Sequence, residues 1–153
     1  MTQLFLATGE AAERLKVGRS QLQKLFSYLP YLYITKRETR LFPTLYIDAY
    51  AAYLQREGLK ATIGSARAFG HTDEARLQFQ QQLESRFAFT AAEVASMFCV
   101  SRMAITNWHQ GGVFTPLRQT VRPKRDRGKG KKTILLIGRD ELRRACEWRV
   151  PNF

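Results

Sequence analysis

Two short runs carry side chains suited to holding a nucleic acid without altering it: Arg19-Ser20-Gln21-Leu22-Gln23-Lys24 and Arg102-Met103-Ala104-Ile105-Thr106-Asn107. On a helix of 3.6 residues per turn with Leu22 and Ile105 centred on the buried face, Ser20 and Lys24 of the first run point outward, flanked by Gln21, Gln23 and Ser27. In the second run the outward pair is Met103 and Asn107, flanked by Ala104, Thr106 and Gln110. Gln and Asn can bond adenine bidentately, and Met or Ala can meet a thymine methyl, so both sets could read bases. Arg19 and Arg102 lie beside the buried stripe, where each either reaches a phosphate or pairs with Glu10 or Glu93 to brace two helices. His109 corresponds to Phe26 on the core edge and has no acid or nucleophile partner in sequence, which favours burial over catalysis.

A second kind of chemistry lies between two strand-like runs. Beyond Arg118 come Arg122, Lys124, Arg125, Arg127, Lys129, Lys131 and Lys132, with Asp126 the only acid among them. Gly128 and Gly130 let such a chain follow a phosphate backbone or enter a minor groove, where cations are attracted by the negative potential. The corresponding segment of the first half offers Lys36, Arg37 and Arg40. The second half of the chain is therefore expected to supply more of the electrostatic grip.

These residues belong to a repeat. The segment from Glu10 recurs from Glu93, an offset of 93 − 10 = 83, placing Glu10, Ala12, Val17 and Arg19 on the identical Glu93, Ala95, Val100 and Arg102. Each copy has the spacing of a helix-turn-helix, whose second helix fits a DNA major groove. In the first copy a helix is expected after Thr8 as cap, to about Lys16, burying Ala11, Ala12 and Leu15; Gly18 turns the chain and a second helix runs from Arg19 to about Tyr28, before Pro30. Residues 31–35 and 40–42 read as a hairpin about a polar turn, and residues 44–57 as a helix ended by Gly58, with Leu45, Ala49, Tyr50, Tyr53 and Leu54 apolar.

Residues 60–70, with Gly64, Ser65 and Gly70, read as a linker, and Thr72 as the cap of a connecting helix to about Arg86. Its apolar residues Ala75, Phe79, Leu83 and Phe87 recur every four, a narrow stripe suited to packing on unit two or on a second copy. At roughly 21 Å, that helix plus the linker could set two units on neighbouring groove faces about 34 Å apart. The second copy has Thr90 as cap, helices to about Cys99 and Gln110, strands over 117–121 and 133–137, and a closing helix over 140–148.

Both copies resemble the winged helix-turn-helix domains of the MerR-like and phage-excisionase type. The residues carrying the likeness are Thr8, Glu10-Ala11-Ala12, Val17-Gly18-Arg19-Ser20 and Leu29-Pro30 in one, and Thr90, Glu93-Val94-Ala95 and Val100-Ser101-Arg102 in the other. The resemblance implies DNA binding by the second helix and the wing, usually in a dimer or multimer. The family's tight turn often holds Gly where this chain has Lys16 and Cys99, so the backbone there is either not left-handed or strained by roughly 1 kcal/mol. With no long coiled coil or effector domain after unit two, a full metal- or drug-sensing regulator is not expected.

The expected fold is mainly α with small β-hairpin wings (α+β): a first winged unit over 1–58, linker and connecting helix over 59–87, and a second winged unit with the long basic wing over 88–153. With 153 residues and 44% apolar composition the chain can bury two small cores. Its charge of +12 divides as +4 over 1–60, 0 over 61–89 and +8 over 90–153, as if both ends met a polyanion and the middle did not. Cys99 and Cys146 are too few for a disulfide framework or zinc site. No cofactor, metal or small-molecule effector is expected, and neither a secretory leader nor a membrane span is read, which gives a cytoplasmic, nucleoid-associated protein.

The leading expectation is a sequence-preferring binder of double-stranded DNA: a transcriptional regulator or recombination factor of phage, plasmid or bacterial origin, forming a homodimer or higher assembly on DNA. A replication-initiation or segregation adaptor is the alternative within nucleic-acid biology. An adaptor that binds only protein, using Tyr46, Tyr50 and Tyr53, is the alternative outside it. Enzyme chemistry is not expected, because no paired carboxylates, metal-ligand cluster, phosphate loop or Ser/His/Asp set occurs at useful spacing.

Overall fold

The computed structural model describes residues 3–70, 72–114, 117–121 and 132–150, with backbone alone for 117–121 and 132–135. It is a mixed fold, mostly helical, with two small antiparallel sheets that do not close into a barrel.

Strand β1 (Phe5–Leu6) leads into α1 (Thr8–Arg14). The Ala7 carbonyl already accepts from the Ala11 amide at 3.0 Å, so Thr8 is the first helical residue and not the expected cap. Helix α2 (Arg19–Leu25) tightens into a 3₁₀ turn over Phe26–Tyr28 before the antiparallel hairpin of β2 (Tyr31–Ile34) and β3 (Thr39–Pro43). Helix α3 (Thr44–Glu57) occupies the span expected from periodicity.

The expected linker is instead helix α4 (Ile63–Phe69). Thr62 and Ser65 cap it reciprocally: the Ser65 amide donates to the Thr62 hydroxyl at 3.2 Å, and the Thr62 amide donates to Ser65 Oγ at 2.9 Å. Ser65 is buried, 2.7 Å from both the Tyr50 hydroxyl and the Lys60 carbonyl. Phe69 packs among Tyr46, Tyr50 and Tyr53 with ring centroids 5.1 to 5.4 Å apart, so α4 completes the core of the first unit. Those tyrosines are thereby accounted for largely by packing, and burial pushes the Tyr46 and Tyr50 hydroxyls above the ordinary phenol range.

Helix α5 (Glu74–Glu84) begins after Asp73, whose carbonyl takes the Leu77 amide at 2.9 Å, and so starts beyond Thr72. It ends before Phe87, which is exposed; Ala75, Phe79 and Leu83 are buried. Then follow β4 (Ala88–Thr90), α6 (Ala91–Phe98), α7 (Arg102–Gln110), β5 (Leu117–Val121), β6 (Lys132–Gly138), α8 (Arg139–Ala145) and β7 (Cys146–Arg149). The closing helix thus stops three residues short of Trp148, and the rest is strand.

The repeat is reproduced in the backbone hydrogen bonds of its two turns. Val17 N donates to Ala12 O and Val100 N to Ala95 O, both at 3.0 Å; Leu22 N bonds Gly18 O, and Ile105 N bonds Ser101 O. Lys16 and Cys99 both take the left-handed conformation, at φ 59° and 57°. Beyond the hairpin the offset becomes 138 − 43 = 95, from Pro43 to Gly138, because the second hairpin is longer. Thr44 N still bonds Leu4 O, and Arg139 N bonds Phe87 O, at the matching places.

The two units do not stand apart on a spacer. Strand β7 pairs antiparallel with β2, in register Leu32↔Trp148 and Ile34↔Cys146, giving a four-stranded sheet in the order β1-β3-β2-β7. The second sheet is β4-β6-β5. Side chains alternate across a strand. Leu32, Ile34, Leu41 and Phe5 therefore enter one core with Phe79, Phe89, Phe98 and Trp108, while Tyr31, Phe42 and Leu6 enter the other with Leu22, Leu25 and Tyr50. Phe5 is the hub, edge-on to Phe79 at 5.1 Å, Phe98 at 5.8 Å and Trp148 at 6.1 Å. The connecting helix packs on unit two, through Phe79 and Leu83.

Two outcomes follow. Phe5→Ala should cost about 3–5 kcal/mol, and calorimetry should show one unfolding transition for the wild-type chain; two resolved transitions would disprove the shared core. Lys16→Gly should raise stability in urea by roughly 1 kcal/mol by relieving the left-handed strain, whereas Cys99→Gly should gain less because Cys99 also bonds Glu10.

Candidate nucleic-acid interface

The hydrogen-bonded turns at Val17 and Val100 set the angle at which α2 and α7 leave the preceding helices. In α2, Leu22 and Leu25 are buried and Ser20, Gln23 and Lys24 are exposed, as the helical spacing requires. Gln21 differs: its side-chain amide donates to the Ala61 carbonyl at 3.1 Å, which ties it to the segment ahead of α4. In α7, Ile105 and Trp108 are buried, while Met103, at 68% exposed, and Asn107 face solvent. Ala104 is half-buried, and the Thr106 hydroxyl donates back to the Arg102 carbonyl at 3.2 Å. Ser101, read only as a turn residue, caps α7 by accepting from the Ala104 amide at 3.0 Å.

Neither Glu–Arg brace forms. Glu93 pairs with Arg86 and caps its own helix, and Glu10 accepts from the Cys99 thiol at 3.0 Å, leaving Arg102 without an ion pair among the described residues. Burial, then the Glu10 carboxylate, pushes the Cys99 thiol up, so it remains a protonated donor. Arg19 lies over Gly9, where an added Cβ would sit 3.0 Å from its guanidinium nitrogen. Gly9 meets Arg19 and its neighbour Glu10 meets Cys99, so the first turn of α1 touches both the start of α2 and the turn leading into α7.

The first hairpin is built into the frame more than its charge suggests. Lys36 Nζ donates to the Gly112 carbonyl at 2.8 Å, joining the hairpin tip to the end of α7. Gly112 has φ 79°, a conformation that glycine adopts without strain. Arg40 lies over the Phe26, Tyr31 and Tyr33 rings at 4.7, 5.4 and 5.7 Å, and Arg149, which sequence did not single out, lies 4.2 Å over Tyr33. Arg37 is exposed. Half-buried His109 keeps Nδ1 from solvent without a hydrogen-bond partner among the described residues.

Arg118 and Lys132 stand in the paired strands β5 and β6, with Val121 opposite Lys132. Arg122, Lys124, Arg125, Arg127, Lys129 and Lys131 lie outside the described residues.

Charge pairing divides the surface. Arg14, Arg56, Arg76, Arg86, Arg143, Arg144 and Arg149 all have acid partners. Among the described residues no ion pair involves Arg19, Lys24, Lys36, Arg37, Arg40 or Arg102. Sequence held this signal, since no Asp or Glu occurs between Glu13 and Glu38 or between Glu93 and Asp126. Among the described residues no group of three or more His, Cys, Asp or Glu is placed to hold a metal ion, and no helix is long and apolar enough to cross a membrane. Burial pushes the Cys146 thiol up to about 12, so it stays neutral where it packs against the core. No family model matches the sequence, and no curated protein or solved structure is significantly similar to it.

The Thr90/Glu93 box that starts α6 gives a pH test. Burial opposes the Glu93 charge, but hydrogen bonds from the Thr90 amide and hydroxyl, together with Arg86, outweigh it and hold the carboxyl below its ordinary value of 4.5. The stabilisation is therefore complete above that value and is lost as pH falls through the lower folded-state value. Urea unfolding at pH 6 and at successively more acid pH should show a smaller acid loss in Glu93→Gln than in wild type. Equal slopes would exclude the assignment.

Proposed function

We propose that the chain binds double-stranded DNA with sequence preference through two winged helix-turn-helix units, as a phage, plasmid or bacterial transcription regulator or an architectural factor in recombination. One observation carries the reading. At equivalent places in the repeat, α2 and α7 present exposed faces free of acids, flanked by cations that no carboxylate neutralises among the described residues.

In this reading the event is binding, with no bond chemistry. Met103 and Asn107 meet base edges from α7, and Ser20, Gln23 and Lys24 do so from α2. Arg19, Arg37, Arg102 and the cations of the second wing take phosphates, which position the protein without specifying sequence. Gln21, Lys36 and Arg40 act chiefly as scaffold, because their polar or cationic ends are already engaged. Since the units share a sheet and a core, both faces are held in one fixed relation. The DNA site should then have fixed internal spacing, unlike a tandem of units on a flexible tether.

The intact protein, selecting duplexes from a random pool, should return one site of constant spacing. If six to ten phosphates are neutralised, affinity should fall by roughly 10³ to 10⁵ between 50 and 200 mM salt. Asn107→Ala should lose about 1–3 kcal/mol at one base position, whereas Arg102→Ala should weaken all sequences alike and flatten the salt slope by about one. Undetectable duplex binding at low salt, unchanged by neutralising Lys124, Arg125, Arg127 and Lys129, would overturn the reading in favour of a protein-binding adaptor.

A further inference from the structure

Away from the acid-free faces, the first unit has a groove of about 620 Å³ between the end of α1 and the later turns of α3. Its floor is apolar, formed by Leu15, Val17, Leu54 and Leu59, and Leu59 is 46% exposed. Its rim is cationic: Lys16 and Lys60 stand over it, while Arg14 and Asp48 neutralise each other at 2.6 Å. Lys16 sits in the left-handed turn that follows α1, which places its side chain among the residues lining the groove.

The chain also carries the complementary shape. Helix α5 buries Ala75, Phe79 and Leu83, and its opposite side bears Asp73, Leu77, Gln81 and Glu84 within about 80° of arc. Leu77 is the apolar point of that ridge, 47% exposed, with a carboxylate toward each end of the helix. Asp73 and Glu84 contact Arg76 and Arg143 only through exposed pairs at 3.2 and 3.6 Å, of the kind that rearranges at little cost.

We propose that copies of this chain associate head to tail, with the α5 ridge of one seated in the α1–α3 groove of the next. Leu77 fills the apolar floor, and Asp73 and Glu84 face Lys16 and Lys60. Ridge and groove share no residue, so the contact is heterologous and leaves a free ridge at one end and a free groove at the other. It grows a row of protomers that a twofold dimer would not. The inference does not rest on DNA binding, and its test separates the two.

Sedimentation of the full chain without DNA should show a mass rising with concentration above the 17.7 kDa of one copy. Leu77→Glu should weaken association by roughly tenfold or more, because a carboxylate would replace the apolar point of the ridge against an apolar floor. The pair Lys16→Glu with Lys60→Glu should be monomeric alone, as should the pair Asp73→Lys with Glu84→Lys. Mixing these two proteins should restore assembly, because each then offers the surface that the other lacks, and restoration also shows both to be folded. A wild type that stays at one copy over the range, association unchanged by Leu77→Glu, or a mixture that stays monomeric would each overturn the proposal. On a short duplex holding one site, Leu77→Glu should bind as wild type does; failure of both proteins to bind duplex, with assembly intact, would count against the DNA reading alone.

Discussion

The register of β2 against β7 decides which side chains enter which core. The four-stranded sheet is a wall with a different core on each side, so every residue of β2 must face the correct one. A slip of one residue would send Leu32 and Ile34 into the core of the first unit and Tyr31 and Tyr33 into that of the second. Leu32 and Ile34 are met by Trp148 and Cys146, while Tyr31 and Tyr33 are met by Arg149 and Glu147. The mismatch of size and polarity between those two sets is what holds one register.

The wall also changes what a repeat means. Two copies of one unit normally act as modules joined by whatever lies between. Here the intervening helix is core, with Phe79 and Leu83 packed beside Phe5, Phe89 and Phe98. The hairpin of the first unit donates Lys36 to the end of α7, and the start of α1 receives the thiol of the turn before α7. The units therefore support each other's exposed helices. Their outward residues differ, Ser20 and Lys24 against Met103 and Asn107, on a backbone frame that the two units share.

Local signals made much of this legible. Apolar spacing located α1, α2, α3, α6 and α7, and the 83-residue offset carried over to matching hydrogen bonds. Helix α4 was missed because its cap uses Ser65 where a Glu is the usual sign, and Gly64 lies in its first turn. Strand β7 was missed because Cys146 and Trp148 continue the apolar stripe of α8, and only a partner more than a hundred residues earlier draws them into a sheet. At the candidate site, the outward residues of α2 and α7 followed from helical geometry. The roles of Gln21, Lys36 and Arg40 did not, since each is set by a contact from elsewhere in the chain, or by aromatic rings grouped by the sheet.

During synthesis the wall imposes an order on folding. Strand β2 ends at Ile34 and its outer partner begins at Cys146, 112 positions later. At ribosomal rates of about 5–20 residues per second, roughly 6 to 20 s separate the appearance of one from the other. Until β7 is made, a folded N-terminal half would leave the outer edge of β2 unpaired, the kind of surface on which other nascent chains can template. Nascent copies crowded on one messenger would be most vulnerable then, so the four residues that close the sheet also end the period of greatest aggregation hazard.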